Sequence, residues 1–326
     1  MANRVSNMFM VRENNLRLIR KYFLEHEEAT KLDISQGTGL SIATSGNMLN
    51  DMLKTGEIVE AGQENPNGGR PATRYAYDPN HTLFAAIRVE VENGDRSLEG
   101  FVINGFGEII NKEQGSYQAI DKNTILSMAA GMLAKFEQIR LLMIGVPGIV
   151  KDDVIDYCDE ENLNGEDLAS LIEEELGIQV CVENFSRIKL YGYYCAHPKM
   201  EKESLALLSM PKGHCLQLGL ICDGHMMYGC NGIAGESQYL PYYYGATQTL
   251  VKEVVSVISS VIAIVNPMRI VITGKELSSE NRREVIQELE ARIPKQYIPD
   301  IEYIEEEEEI YLDGLIHYLR NEWYGL

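Results

Sequence analysis

Apolar positions at the start of the chain recur at helical spacing. Leu16, Ile19, Tyr22 and Phe23 mark a first helix after the capping pair Asn14–Asn15. Thr30 caps a short second helix holding Leu32 and Ile34, and Gly37 and Gly39 break the pattern. Ser41 caps a third helix, striped by Ile42, Met48, Leu49, Met52 and Leu53 and ended by Gly56. The pattern then changes to short strands, Ile58–Ala61 and Thr73–Tyr77, separated by the turn-rich run from Gln63 to Arg70. Three helices followed by a β-ribbon predict a winged helix-turn-helix over residues 1–80.

Beyond Asp78–Pro79–Asn80 the pattern alternates between strand and helix, which predicts an α/β unit over residues 81–326. Strands are expected at Leu83–Ile87, Gly100–Ile103, Leu141–Val146, Gln179–Val182, Leu205–Met210, Leu216–Cys222 and Arg269–Thr273. The unbroken apolar run Leu141–Val146 suits a strand covered on both faces. Helices are expected around 123–137, 167–176, 184–195 and 248–265, and a last one carries Leu312, Leu315, Ile316 and Leu319. The five glutamates Glu305–Glu309 before it read as a solvated connection.

Charge refines this division. The 326 residues carry a net charge of −20, yet residues 1–80 contribute only −1 and the remainder −19. A uniformly acidic surface argues against nucleic acid, but this split leaves the first unit free to meet DNA. Short polar side chains near the start of the third helix, Thr44, Ser45 and Asn47, suit base edges, and Ser41 suits a phosphate. Arg70, in the wing sequence Gly68–Gly69–Arg70–Pro71, suits a minor groove, and Arg74 joins Arg12, Arg17 and Lys54 in a basic patch. All six cysteines fall in the second unit without a C-x-x-C pair, so free thiols in a reducing cytoplasm are expected. Neither a membrane span nor a signal core is present in the pattern.

Several motifs then occur in a telling order. After the helix-turn-helix and Gly69–Arg70–Pro71 come Ile144-Gly145-Val146-Pro147-Gly148, Asn162–Leu163, Val182-Glu183-Asn184, Asn231-Gly232-Ile233-Ala234-Gly235-Glu236 and Asn266-Pro267-Met268-Arg269. This series resembles the ROK family (repressor, open reading frame, kinase), in particular its repressor branch. The resemblance implies an actin-like, sugar-kinase-type fold with two lobes around a cleft. It implies double-stranded DNA and a sugar or sugar-phosphate effector as partners, and a homodimer or homotetramer. By the same resemblance Asn184 and Glu236 sit at sugar-binding positions, with Asn162 a further match and Tyr239 beside them.

The departures from the family pattern bear on catalysis. The kinase phosphate turn Asp-x-Gly-Gly-Thr is replaced around Glu90, Glu92 and Asp95, and the second phosphate loop reads Gly213-His214-Cys215. Close backbone N–H groups and positive potential are what a phosphate cradle needs. Phe185 stands where the family carries its catalytic Asp, and a phenyl ring cannot accept a proton. Tyr239 takes the place of a zinc-binding His, and the cysteine cluster that follows in the family is missing, so no metal and no cofactor is expected. Cys222 and Cys230 read as small core residues. The expected function is a non-catalytic, DNA-binding regulator of carbohydrate genes, most simply a repressor. A DNA-tethered scaffold without a sugar ligand and a ROK-type kinase stand as alternatives.

Overall fold

The computed structural model describes residues 2–64, 71–92, 94–200, 202–210, 216–241 and 249–325, with side chains from Met10 onward. Helix α1 (Ala2–His26) turns Leu16, Ile19 and Phe23 into a small core. It runs straight through Asn14 and Asn15, so the expected cap is interior. Helix α2 begins at Lys31 and ends at Thr38, with Thr30 and Asp33 closing a reciprocal capping box. Ser41 caps α3 (Ile42–Thr55) as expected, and its hydroxyl accepts from the Thr44 amide. The ribbon forms from β2 (Ile58–Glu64) and β3 (Ala72–Tyr77). A three-residue strand, β1 (Glu28–Thr30), pairs antiparallel with β3 and was not foreseen, since three residues carry too little pattern. The resulting sheet has the order β1-β3-β2.

The rest of the chain builds two sheets. In the first, β4 (Leu83–Glu92), β5 (Asp95–Ile103) and β6 (Ile109–Tyr117) are antiparallel. Helix α4 (Lys122–Lys135) crosses to β7 (Ile139–Val146), parallel to β4 and buried except at Arg140. A hairpin of β8 (Gly148–Lys151) and β9 (Val154–Cys158), then α5 (Leu168–Leu176), lead to β10 (Gln179–Asn184), parallel to β7. The order is β10-β7-β4-β5-β6.

After α6 (Phe185–Ala196) the plan repeats. Strands β11 (Leu205–Ser209), β12 (Gln217–Cys222) and β13 (His225–Met226) are antiparallel. Helix α7 (Leu250–Ile264) leads to β14 (Arg269–Thr273), and α8 (Ser279–Arg292) leads to β15 (Asp300–Ile304), both strands parallel to β11. The order β13-β12-β11-β14-β15 matches the first sheet strand for strand. Each sheet packs its outer face on its own helices, α4 and α5 in one lobe and α7 and α8 in the other.

Between the lobes lie α6 and the last helix, α9 (Glu307–Tyr324). The glutamate run at the start of α9 is solvated and also ion-paired. Glu305 pairs with Arg282 at 2.7 Å, Glu306 with Lys275 at 2.6 Å, Glu307 with Lys189, and Glu308 with Arg88 at 2.6 Å. The run is largely solvent-exposed, as the sequence suggests, and the four cations it meets come from other parts of the chain. Cys230 is exposed and Cys222 half-buried, so the core reading fails for Cys230. No helix among the described residues is long and apolar enough to cross a membrane.

Candidate effector cleft and nucleic-acid face

Two strand ends and a loop converge between the lobes. Strand β7 ends at Val146, just before Pro147, β10 ends at Asn184, and the loop after β13 carries Glu236 back to pair with Gln217 of β12. Gly235 allows this return. Its φ is +94°, and a Cβ there would stand 1.8 Å from the Leu218 carbonyl oxygen. The open cavity between them measures about 220 Å³ and is lined by Tyr157, Asp159, Asn184, Gln217, Glu236 and Gln238, among others. A cavity of this size, rich in amide and carboxylate groups, suits a small polyhydroxylated ligand.

Asn184 has a structural task as well. Its side-chain oxygen caps α6 by accepting from the Ser186 amide at 2.8 Å, and its side-chain nitrogen donates to the Gly148 carbonyl. Glu236 accepts from Gln238 at 3.3 Å, and burial pushes its carboxyl pKa up. Asn162 is exposed and donates to Glu160, and Tyr239 is 56% exposed; neither lines this cavity. Sequence reasoning missed Tyr157 near the end of β9, Asp159 just after it, Gln217 at the start of β12 and Gln238 after Glu236, which share no motif.

A second cavity of about 290 Å³ shares Pro147, Asp159 and Gln217 with the first. Its wall includes Glu90, Glu92, Phe185, Lys189, Glu276 and Glu307. Here β4 and β5 stay paired out to Glu92 and Asp95, so backbone groups that a phosphate loop would leave open are committed to the ladder. Glu90 is not an isolated carboxylate, since Arg88 lies 3.1 Å away and is itself gripped by Glu99 and Glu308. Lys189 is taken by Glu307 and by the Ser209 hydroxyl at 2.9 Å. The Phe185 ring stands edge-on to Tyr311 with centroids 5.4 Å apart. Gly213, His214 and Cys215, the second suspected phosphate loop, lie outside the described residues.

Behind this cleft, Arg187 and Glu183 form a buried pair at 3.0 Å. Arg187 also donates to the carbonyls of Val150 and Gly232, fixing the loop that presents Glu236. Burial raises the Glu183 pKa despite the guanidinium beside it.

In the N-terminal unit, α3 turns Ser41, Ile42, Ala43, Asn47 and Asn50 outward. Thr44 is half-buried and shares its hydroxyl with that of Ser41 at 2.9 Å. Ser45 is fully buried, so it cannot serve as a surface contact, a correction to the sequence reading. It lies four residues before Leu49 and seven before Met52, on the core side of the helix. Arg74 pairs with Glu28 at 3.1 Å and Glu64 at 3.2 Å, Arg12 with Asp51 at 3.0 Å, and Lys54 with Asp51 at 3.1 Å. The expected basic patch is therefore largely neutralised within the unit. Arg70 lies outside the described residues.

Comparison with known proteins agrees with this two-lobed plan. Residues 88–240 match the model of the ROK family. The xylose repressor of Bacillus subtilis (strain 168) is 23% identical over 245 residues, covering 72% of this chain and 62% of that protein. The chain thus spans less than two thirds of the length of the curated relatives it matches. A crystal structure of a ROK family transcriptional regulator, a homologue of the E. coli MLC protein, superposes with a TM-score of 0.62 at 15% identity, over 96% of this chain and 99% of that one. A ROK family glucokinase from Streptomyces griseus, in complex with glucose and AMPPNP, gives 0.54 at 13% identity, over 72% of this chain and 98% of that one. The fold is the α/β sugar-kinase-like fold.

Proposed function

Because this chain carries a ROK family domain, we propose that it is a sugar-responsive, DNA-binding transcriptional repressor whose kinase-like lobes bind without catalysing. The observation that carries this reading is a polar cavity at Asn184 and Glu236 beside a phenyl ring at Phe185. The cavity can hold hydroxyl groups, but its neighbour cannot remove a proton from one. Relatives named xylose repressor support the sugar-responsive part. Residues 1–80 form the DNA-contacting unit in this reading, a winged helix-turn-helix with α3 in the major groove and Arg70 in the wing. Residues 81–326 bind the effector and associate into a homo-oligomer in the cytoplasm. Asp159 and Glu236 favour an unphosphorylated sugar over a sugar phosphate, by charge repulsion.

Fluorescence anisotropy with DNA flanking the protein's own gene tests the regulator reading. Sequence-selective, salt-sensitive binding is expected, and its absence would sink it. Thermal unfolding with a panel of free and phosphorylated monosaccharides tests the effector. A rise in Tm with a free sugar, lost in Asn184→Ala, is expected. The alternative of a DNA-tethered scaffold is favoured by the double engagement of the Asn184 amide within the protein. It predicts no rise with any sugar. Phosphate transfer from ATP to any sugar in the panel would overturn the non-catalytic reading.

A further inference from the structure

Helix α9 touches every part of the molecule that a regulator must connect. We infer that α9 is a connecting rod that carries the state of the cleft to the N-terminal unit. The inference rests on the regulator reading only for its consequence, the control of DNA contact.

The cleft end of the rod is electrostatic. Glu307 lines the cavity that holds Phe185 and grips Lys189 of α6. Lys189 also reaches Ser209 of the second lobe at 2.9 Å. Glu308 holds Arg88 of the first lobe at 2.6 Å. The first turn of α9 therefore reads the positions of both lobes. Any ligand that closes the cleft must change these distances.

The middle of the rod is locked to α6 backbone against backbone. A Cβ on Gly192 would lie 2.1 Å from the Ile310 carbonyl oxygen, and one on Gly314 would lie 2.0 Å from that of Ile188. No flexible side chain intervenes at either crossing point. Close-packed elements of this kind shift as bodies and do not absorb a displacement by gradual deformation. Helix α6 begins at the cap Asn184, in the effector cavity, so that cavity also bears on the pair.

The far end enters the N-terminal unit. At 18 residues, α9 spans about 27 Å. Tyr324 is buried against Phe84, and its hydroxyl lies 3.0 Å from that of Tyr77 at the end of β3. The Tyr77 hydroxyl donates to Glu57, just after α3, at 3.4 Å. Glu57 accepts two bonds from Arg20 of α1, at 2.5 and 3.1 Å. One buried chain of contacts thus joins the last turn of α9 to β3, to the exit of α3 and to α1. Coupling along this chain is read by a perturbation at one end and a response at the other.

Amide hydrogen exchange on the full-length protein supplies this, with neither DNA nor sugar present. Glu308→Gln weakens the cleft anchor without changing its shape. Exchange in Leu16–Phe23 and Ala72–Tyr77 is expected to quicken about threefold or more, through easier local opening. In a Tyr324→Phe background the same substitution should add nothing in those segments while still loosening the first turn of α9. Where Glu308→Gln does not fold cooperatively, Glu307→Gln makes the same test. Quickening confined to residues 88–99 and 305–314 would overturn the inference. So would an increment in the N-terminal unit that survives Tyr324→Phe. Because the readout needs no operator, it can fail while DNA binding stands, and DNA binding can fail while it holds.

Discussion

Glu236 shows how a single buried carboxyl ties stability to pH. Burial raises its carboxyl pKa in the folded protein, so the folded state binds the proton more tightly than the unfolded chain does. Stability is therefore gained as pH falls through the folded pKa, and at neutral pH the charged carboxylate is a cost. Glu236→Gln is expected to raise Tm at about pH 7 and to flatten its fall as pH rises above the ordinary carboxylate range, measured by thermal unfolding. Some slope remains, because burial raises Asp153 and Glu183 in the same direction. Legibility at this scale was uneven. The caps at Thr30 and Ser41 follow from local hydrogen bonding and were readable. The inward aim of Ser45 was readable too, from its spacing to Leu49 and Met52, and a preference for polar contacts hid it.

Among the elements, α6 and α9 show why a glycine can outweigh helix propensity. Alanine in place of glycine within a helix gains up to about 1 kcal/mol from propensity alone. At Gly314 the added methyl would meet the Ile188 carbonyl oxygen at 2.0 Å, and forcing such packing apart costs about 1–3 kcal/mol, occasionally more. Gly314→Ala is thus expected to be destabilising, seen as a lower urea midpoint. An unchanged or higher midpoint would show that the two helices are not held at backbone contact. Long elements with strong periodicity, such as α3, α7 and β7, were legible from the chain. The strand β1 and the hairpin β8–β9 were not, because each is short and takes its identity from a partner strand. The glutamate run is largely solvent-facing as its composition suggests, but its ion pairs were not legible, since its cations lie up to 220 residues away.

At the scale of the whole molecule, charge and topology govern how DNA contact can arise. Four basic side chains of the N-terminal unit, Arg12, Arg20, Lys54 and Arg74, already face carboxylates of the same unit. Five of the nine basic side chains in residues 1–80 remain to displace counterions from a duplex. The slope of log affinity against log salt is expected to be no steeper than about −5 per bound unit, measured by anisotropy between about 50 and 200 mM salt. A steeper slope would mean that these ion pairs open on DNA. The acidic lobes, with a net −19 over residues 81–326, add repulsion if they approach the duplex. The two lobes share one strand order, yet no sequence repeat announces it. Many apolar sequences satisfy the same arrangement of buried strands, so the duplication is kept in topology alone.

By itself the sequence determined the helix-rich beginning, the alternation of strands and helices, the caps at Thr30 and Ser41 and the unequal charge of the two parts. These depend on neighbours within about one turn of helix or one pair of strand residues, where periodicity and local hydrogen bonding act. It also placed Phe185 and Glu236 by motif. Only the tertiary structure decided that Asp159, Gln217 and Gln238 share a cavity with Glu236. It alone brought the glutamates at the start of α9 to their distant cations and set Tyr324 against Tyr77. Such contacts join residues far apart in the chain. They are chosen by how two lobes and the helices between them pack, and no local pattern records that choice.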